Sequence, residues 1–237
     1  MIVAVIPARG GSKRIPHKNI RLFAGKPIIV YSIDAARACG LFERIIVSTD
    51  DAEIAAVARD WGAETPFVRP PELSDDHTGT NKVAAHTLMW LAEHSQQVEI
   101  ACCIYATAPF IRPDDLRDGY EALISSGKSY VFSVTSFESA IQRAIRVLPG
   151  GGVAPFFPEW IEARSQDLEP AYHDAGQFYW GRAEAFRAGL PVFATHSVAL
   201  LLPRLRVQDI DTLEDWGHAE LLAASLNSRI GSGGAVE

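Results

Sequence analysis

The chain has 237 residues, 48% of them hydrophobic, and its 22 Lys and Arg against 29 Asp and Glu give a net charge of −7. That is enough apolar material for one large α/β domain or two small ones with a sizeable core. The acidic balance excludes a general nucleic-acid binder, which carries a basic stripe over much of its surface.

Taken from the amino terminus, Ile2-Val-Ala-Val-Ile6 is a β-branched run with no polar break, the pattern of a strand buried on both faces of a parallel sheet. The run holds Pro7 and stops at Arg9, too short for a signal peptide or a membrane span, so a soluble cytoplasmic protein is expected. Pro27 opens a predicted helix to Cys39, ended by Gly40, and Arg44 to Ser48 reads as a strand. Ile54, Val57, Ala58 and Trp61 mark one helical face that ends at Gly62. The stretch "VRPPELSDDHTGTNK" (Val68 to Lys82) has no hydrophobic period and is predicted to be a surface loop near the strand ends.

Helix resumes around Asn81, with Val83, Thr87, Leu88 and Leu91 on one face. "IACCIYA" (Ile100 to Ala106) is another doubly buried strand, a helix starts at Pro113, and Tyr130 to Thr135 is a further strand. The adjacent Cys102 and Cys103, with Cys39, fit neither a disulfide framework nor a zinc site and point to a reducing compartment. After Ser136 the pattern changes: Arg143 to Leu148 and Val153 to Phe157 flank Pro149-Gly-Gly-Gly152, as in a hairpin with exposed aromatics. This excursion, about 137–175, fits a dimer arm, a substrate lid or an ordinary surface hairpin. "GQFYWG" and "ALLLP" return to strand character, with Phe178, Tyr179 and Trp180 read as strand packing. A last helix is expected from Thr212 to Asn227, making 1–227 one domain, followed by a disordered tail over 228–237.

The unusual feature is the loop after the first strand, "IPARGGSKRIPHKN". Six cations (Arg9, Lys13, Arg14, Lys18, Arg21 and Lys26) precede the first acidic residue, Asp34. Like charges so close repel one another unless an anion neutralises them, and a triphosphate carries enough charge to do so. A loop at the carboxyl end of a parallel strand is where such folds bind ligands, and Gly10-Gly11 allows the backbone amides to turn inward as an anion cradle. The stretch is neither G-x-G-x-x-G nor G-x-x-x-x-G-K-[ST], which disfavours a dinucleotide oxidoreductase and a P-loop enzyme. Composition alone also fits a solvated basic surface.

With "IIVSTDD", "RPPELSDD" and "VQDIDTLEDW" following in order, the loop resembles that of the cytidylyltransferases that activate nonulosonic acids, over residues 1 to about 224. The resemblance implies a Rossmann-like, glycosyltransferase-A-like α/β nucleotidyltransferase domain, with a mainly parallel sheet flanked by helices and a small dimerisation excursion. It implies a homodimer and a reaction in which CTP and a sugar acid give the CMP-sugar and pyrophosphate, with Mg²⁺, for bacterial surface glycan or flagellin glycosylation; no nucleic acid or membrane takes part. Carried over position by position, Ala8, Arg9, Gly10, Gly11, Ser12, Lys13 and Asn19 surround the nucleotide phosphates, with Lys18 the main catalytic cation and Arg9 and Lys13 beside it. Fixed cations there stabilise charge that grows on the α-phosphate and the leaving pyrophosphate. Arg69 and Thr80 match residues about the cytosine.

Asp209 and Asp211, two apart in an extended stretch, send both carboxylates to one face, a spacing that suits Mg²⁺ completed by phosphate oxygens. Locally, Asp211 or Thr212 also fits the N-cap of the last helix. Asp50 and Asp51 read first as a helix N-terminus, and Asp75-Asp76-His77 as a solvated turn rather than a ligand set. On the sugar side, "YATAPFIRPDDL" puts Tyr105 where sialic-acid enzymes commonly have Gln. Together with "RSQDLEPAYHDAGQFYWG" it looks like the branch that activates pseudaminic acid. Arg164 is then the partner of the sugar carboxylate, and Gln166, His173, Asp174 and Gln177 are candidates for its amides and hydroxyls, His173 also being one candidate general base beside a metal-held water. The rival readings are the same reaction on N-acetylneuraminic, legionaminic or a ketodeoxy acid, and a non-catalytic nucleotide-binding protein.

Overall fold

A computed structural model describes residues 1–231. Ten strands and six helices run in the order β1 (Ile2–Pro7), β2 (Leu22–Phe23), β3 (Lys26–Pro27), α1 (Ile29–Cys39), β4 (Arg44–Ser48), α2 (Ala52–Asp60), α3 (Thr80–Glu93), β5 (Ile100–Ile104), α4 (Pro113–Ser126), β6 (Tyr130–Ser136), β7 (Ile145–Val147), β8 (Val153–Pro155), β9 (Tyr172–Arg182), α5 (Ala183–Arg187), β10 (Ser197–Leu201) and α6 (Leu213–Gly231). A six-stranded sheet has the order β10-β6-β9-β5-β1-β4. It is parallel except for β9, which lies antiparallel between β5 and β6.

The doubly buried strands follow from composition. The interior of β1 and all of β5 are apolar and inaccessible, because helices cover both faces of the sheet. One apolar cluster packs α1 and α4 against one face, around Ile33, Leu116, Phe178 and Trp180. The other packs α3 and α5 against the opposite face, around Leu88, Leu91, Tyr130 and Phe186. Phe178 and Trp180 are fully buried, as strand packing predicts.

Several boundaries move for identifiable reasons. The first helix begins at Ile29 rather than Pro27, because Lys26–Pro27 pairs with Leu22–Phe23 and the Ile28 amide donates to the Arg21 carbonyl. Trp61 lies outside α2 and is 38% exposed: the helix ends at Asp60 and Gly62, at φ 85°, turns the chain away. The last helix continues to Gly231, so residues 228–231 belong to it instead of a disordered tail; 232–237 of that expected tail lie outside the described residues. The excursion leaves after β6 and returns as β9, and Ser136 pairs with Tyr172 at its root. Its two-stranded hairpin, β7 and β8, is a sheet of its own and leaves Ile145, Val147, Val153 and Phe156 exposed. Among the described residues no helix is long and apolar enough to cross a membrane.

Gly181 is required by close approach. A Cβ there would sit 2.5 Å from Tyr130 Cδ1 and 2.7 Å from Phe186 Cε2, two packed rings. Gly181→Ala should therefore destabilise the protein by about 1–3 kcal/mol in urea unfolding. Gly217→Ala, in α6 with nothing within 4 Å of the new methyl, should stabilise it by about 0.4–1 kcal/mol. Equal effects at the two positions would contradict this packing account.

Candidate active site

A third, smaller apolar cluster assembles the site. Ile15 and Phe23 from the stretch after β1, Ile28, Phe110, Ile210 and Trp216 bury one another away from the main sheet. Phe23 meets Tyr31, Phe110 and Trp216 edge-on, with ring centroids 5.6 to 6.1 Å apart. A buried pair, Arg206 Nη2 donating to Asp115 Oδ1 at 2.9 Å, ties the chain just before Ile210 to α4. With Ile210 inside, Asp209 and Asp211 on either side of it are turned outward. The basic loop and the acidic stretch, 192 residues apart, are thereby held together: Lys18 Nζ donates to the Ile210 carbonyl and lies 3.3 Å from Asp211 Oδ1. Thr212 and Asp215 form the reciprocal cap of α6, so the Asp211 side chain is left to the cleft.

All six early cations have partners. Arg9 and Lys13 share Asp76, each at 2.5 Å, and Arg14 reaches Asp211 at 3.0 Å, opposite Lys18. Lys26 pairs with Asp34, and the Arg21 guanidinium lies over the Trp216 ring at 5.1 Å. The protein's own carboxylates thus answer the repulsion that the sequence raises. Asp76 belongs neither to a metal set nor to a free turn. Its carboxyl is held at about 2 by hydrogen bonds from Lys13 and Arg9, while Asp75 makes the turn by accepting from the His77 and Thr78 amides.

A cleft opens at the carboxyl ends of β1 and β5, beside the first turn of α3. Arg9, Ser12, Lys13, Lys18, Asn19, Arg69, Thr80, Tyr105 and Asp211, all singled out in the sequence, line it together with Arg14, Asp75, Thr78 and Thr107. Ala8, Gly10 and Gly11 do not. The Gly10 half of the expected amide cradle is engaged within the protein, because the Ala8 amide donates to Ser48, that of Ser12 to Gly10, and that of Gly10 to Asp50 Oδ1 at 3.0 Å. Gly10 serves closeness: a Cβ there would lie 2.6 Å from Asp51 Oδ2. Asp51 caps α2, as expected, whereas Asp50 braces both Gly10 and Arg69, at 3.6 Å from the latter's Nη2. No sequence pattern marked that second role. Asn19 donates to the Arg9 carbonyl and pins the loop from below.

Arg69 is only 3% exposed, and burial lowers its guanidinium below the usual range while Asp50 opposes the shift. Its Nε donates to Ser74, but Nη2 has no hydrogen-bond partner among the described residues. A buried donor that has a counter-charge at 3.6 Å but no hydrogen bond, bordering a cleft, fits an acceptor on a ligand.

Residues expected on the sugar side divide. Tyr105 lines the cleft, and Asp174 reaches it only through Tyr179. Gln177, expected to face the sugar, is a buried residue of β9, and its amide donates to the Arg206 carbonyl instead. His173 borders a separate depression with Thr135 and Arg204, its ring nitrogen on the Asp174 carbonyl. Arg164 and Gln166 are exposed on the excursion, away from the cleft of their own chain.

Of Asp209 and Asp211, expected together as metal ligands, only Asp211 lines the cleft, and no cluster of three His, Cys, Asp or Glu that could hold a metal occurs among the described residues. Crowding by protein raises the Asp209 carboxyl, with the Asp211 charge adding to the shift and Lys18 opposing it, even though much of Asp209 remains exposed. Two hard carboxylates on either side of Ile210 fit a divalent cation such as Mg²⁺, which takes one or two carboxylates and fills its shell with phosphate oxygens and water.

The profile of the cytidylyltransferase family matches residues 3–144. A pseudaminic acid cytidylyltransferase of Campylobacter jejuni is 44% identical over 93% of this chain and 95% of its own. A CMP-N,N'-diacetyllegionaminic acid synthase of Legionella pneumophila is 36% identical over the same shares. Among solved structures, a CMP:2-keto-3-deoxy-manno-octonic acid synthetase complexed with CTP superposes with a TM-score of 0.70 at 17% identity, over 94% of this chain and 98% of that one, a likeness of fold. The chain belongs to the cytidylyltransferase family, with the α/β nucleotidyltransferase fold that its sequence predicts.

Since Asp76 competes with any anion for Arg9 and Lys13, Asp76→Asn should tighten CTP binding by about two- to fivefold in low-salt calorimetry, the size expected of exposed ion pairs. The depressed carboxyl contributes its pairing fully above its ordinary value of 3.8 and loses it as pH falls through about 2. The gap between wild type and variant should accordingly stay constant from about pH 5 to pH 8. Weaker CTP binding in the variant would mean that Asp76 organises the cations rather than occupying them.

Proposed function

We propose that this chain transfers CMP from CTP to the anomeric hydroxyl of pseudaminic acid and releases pyrophosphate, acting in the cytoplasm as a homodimer. One observation carries the reading: Arg9, Lys13 and Lys18 of the first loop and the half-free Arg69 line one cleft with Asp211 opposite. The full-length likeness to the Campylobacter jejuni protein supports pseudaminic acid as the acceptor.

In this reading the triphosphate replaces Asp76 as the counter-anion of Arg9 and Lys13, and Ser12 donates to its oxygens. Arg69 Nη2 meets an acceptor of the cytosine, with Thr80 beside the base. Attack on the α-phosphorus adds charge to its equatorial oxygens and to the departing pyrophosphate. Lys18, anchored on the Ile210 carbonyl, presents a fixed cation to that charge without reorganising, which lowers the barrier more than it stabilises bound CTP. Asp209 and Asp211 would hold Mg²⁺, which when bound supplies further neutralisation of the phosphate oxygens. Arg164 supplies the guanidinium for the sugar carboxylate, with Gln166 near it. Both are exposed on the excursion, so they serve the partner's cleft when the apolar hairpin Ile145–Pro155 packs against a second copy. An isolated two-stranded hairpin is at best marginally stable alone.

The test is pyrophosphate release with CTP and Mg²⁺ on pseudaminic, legionaminic and N-acetylneuraminic acids, with ATP, GTP and UTP as controls. Release should require CTP and be fastest with pseudaminic acid; release with none of the acids would leave a nucleotide-binding protein. Lys18→Ala should lower kcat about 100- to 1,000-fold, with a much smaller change in the Kd for CTP. Equal losses in kcat and CTP affinity would remove the catalytic role.

A further inference from the structure

Tyr105 is the cleft residue at the end of β5, and its hydroxyl lies 3.2 Å from that of Tyr179 on β9. Tyr179 donates in turn to Asp174 Oδ2, five residues back along the same strand. The other Asp174 oxygen accepts the Gly176 amide at 2.9 Å, where the chain turns at φ 61°, so the carboxylate is fixed from both sides. Tyr179 is 5% exposed and packs beside Phe132.

The chemistry of the three groups sets the direction of every proton. A carboxylate only accepts, so the single Tyr179 proton points at Asp174. The Tyr179 oxygen then offers lone pairs alone, and Tyr105 must donate to it. With that proton engaged, the Tyr105 oxygen has only lone pairs to offer, to the Thr80 hydroxyl beside it and to the cleft that both residues line. Burial raises both phenols above their ordinary range, so neither ionises near neutrality and the order of donors is kept.

We propose that Asp174 and Tyr179 are positioning residues that hold the Tyr105 hydroxyl as a hydrogen-bond acceptor, so that the cleft selects a sugar acid presenting an N–H or O–H donor there, as an acetamido group does. The proposal rests on the preceding reading, in which the acceptor sugar lies beside Tyr105. Asp174 then acts through Tyr179 without touching the sugar, since both its oxygens are already engaged. A site built around one hydrogen-bond polarity discriminates strongly, because a ligand of the wrong polarity leaves a group unpaired.

The experiment varies the sugar acid at saturating CTP, and CTP at saturating sugar acid, in the wild type, Tyr179→Phe, Asp174→Ala, Asp174→Asn and Tyr105→Phe. Tyr179→Phe and Asp174→Ala should each raise the KM for the sugar acid about tenfold while the KM for CTP stays within about twofold. The double variant should be no worse than either single one, because both break the same chain. Asp174→Asn can keep the Gly176 contact only by turning its NH₂ to Tyr179, which reverses the relay, so its sugar KM should rise as in Asp174→Ala. The preference for an acetamido-bearing acid over its deaminated analogue should fall in Tyr105→Phe and Tyr179→Phe alike.

An unchanged sugar KM in Tyr179→Phe, equal rises for CTP and sugar, or additive losses in the double variant would overturn the proposal and leave a packing role. Tyr179→Phe keeps the ring, so the test does not depend on Asp174→Ala folding. If the wild type turns over a different acid, the same variants are read on that acid. If it turns over none, the proposed function fails. The relay is then read by proton NMR, as a downfield Tyr179 hydroxyl resonance present in the wild type and lost in Tyr179→Phe and Asp174→Ala; its absence from the wild type would sink the relay.

Discussion

The site depends on a small apolar cluster away from the main sheet. Ile15, Phe23, Phe110, Ile210 and Trp216 exclude water between two segments that have no other reason to meet. One is rich in cations and the other in carboxylates, and neither forms much regular structure. Charge attraction between exposed groups is worth little, and it gives no fixed geometry. Burial of the intervening aromatics supplies the geometry, and the ion pair of Lys18 with Asp211 follows from it. This is why Lys18, although a lysine on a loop, is only 18% exposed and has a carbonyl as well as a carboxylate to hold it.

A cluster of cations in an acidic protein must be neutral when no ligand is bound and available when one is. The chain meets both demands with exposed carboxylates at the cleft. Asp76 holds Arg9 and Lys13, and Asp211 holds Arg14 and Lys18. Exposed pairs of this kind are weak enough to exchange for a polyanion that brings several charges at once. The buried Arg69 behaves differently, because its brace, Asp50, reaches Nη2 only as an ion pair at 3.6 Å and leaves that nitrogen without a hydrogen bond. The cleft thus has a mobile electrostatic half and a preorganised hydrogen-bonding half, and the relay from Tyr105 through Tyr179 to Asp174 extends the second.

The strands and helices were legible because their apolar residues recur at the period of the element that buries them, as in β1, β5 and α3. The direction of β9 was not, since a strand buried on both faces reads alike either way. The same ambiguity hid Gln177, which lies in the sheet under Arg206 instead of facing a ligand. The first loop could be read as an anion site from charge density alone, and Arg9, Ser12, Lys13 and Lys18 do converge on one cleft. The source of their neutralisation could not. Asp76 lies 67 residues from Arg9, and their pairing depends on how an aperiodic loop folds back. Gly10 was legible as a special position but for a different reason, close packing against Asp51 rather than an inward-turned amide.

The central claim is that these loop cations form a polyphosphate site held ready by exposed carboxylates of the same chain. Calorimetric titration of CTP, CMP and cytidine at rising salt tests it most directly. The account predicts that affinity falls steeply from CTP through CMP to cytidine and that CTP alone loses affinity strongly as salt rises. Equal affinities for the three, insensitive to salt, would contradict it and place the nucleoside, not the phosphates, at the heart of the site.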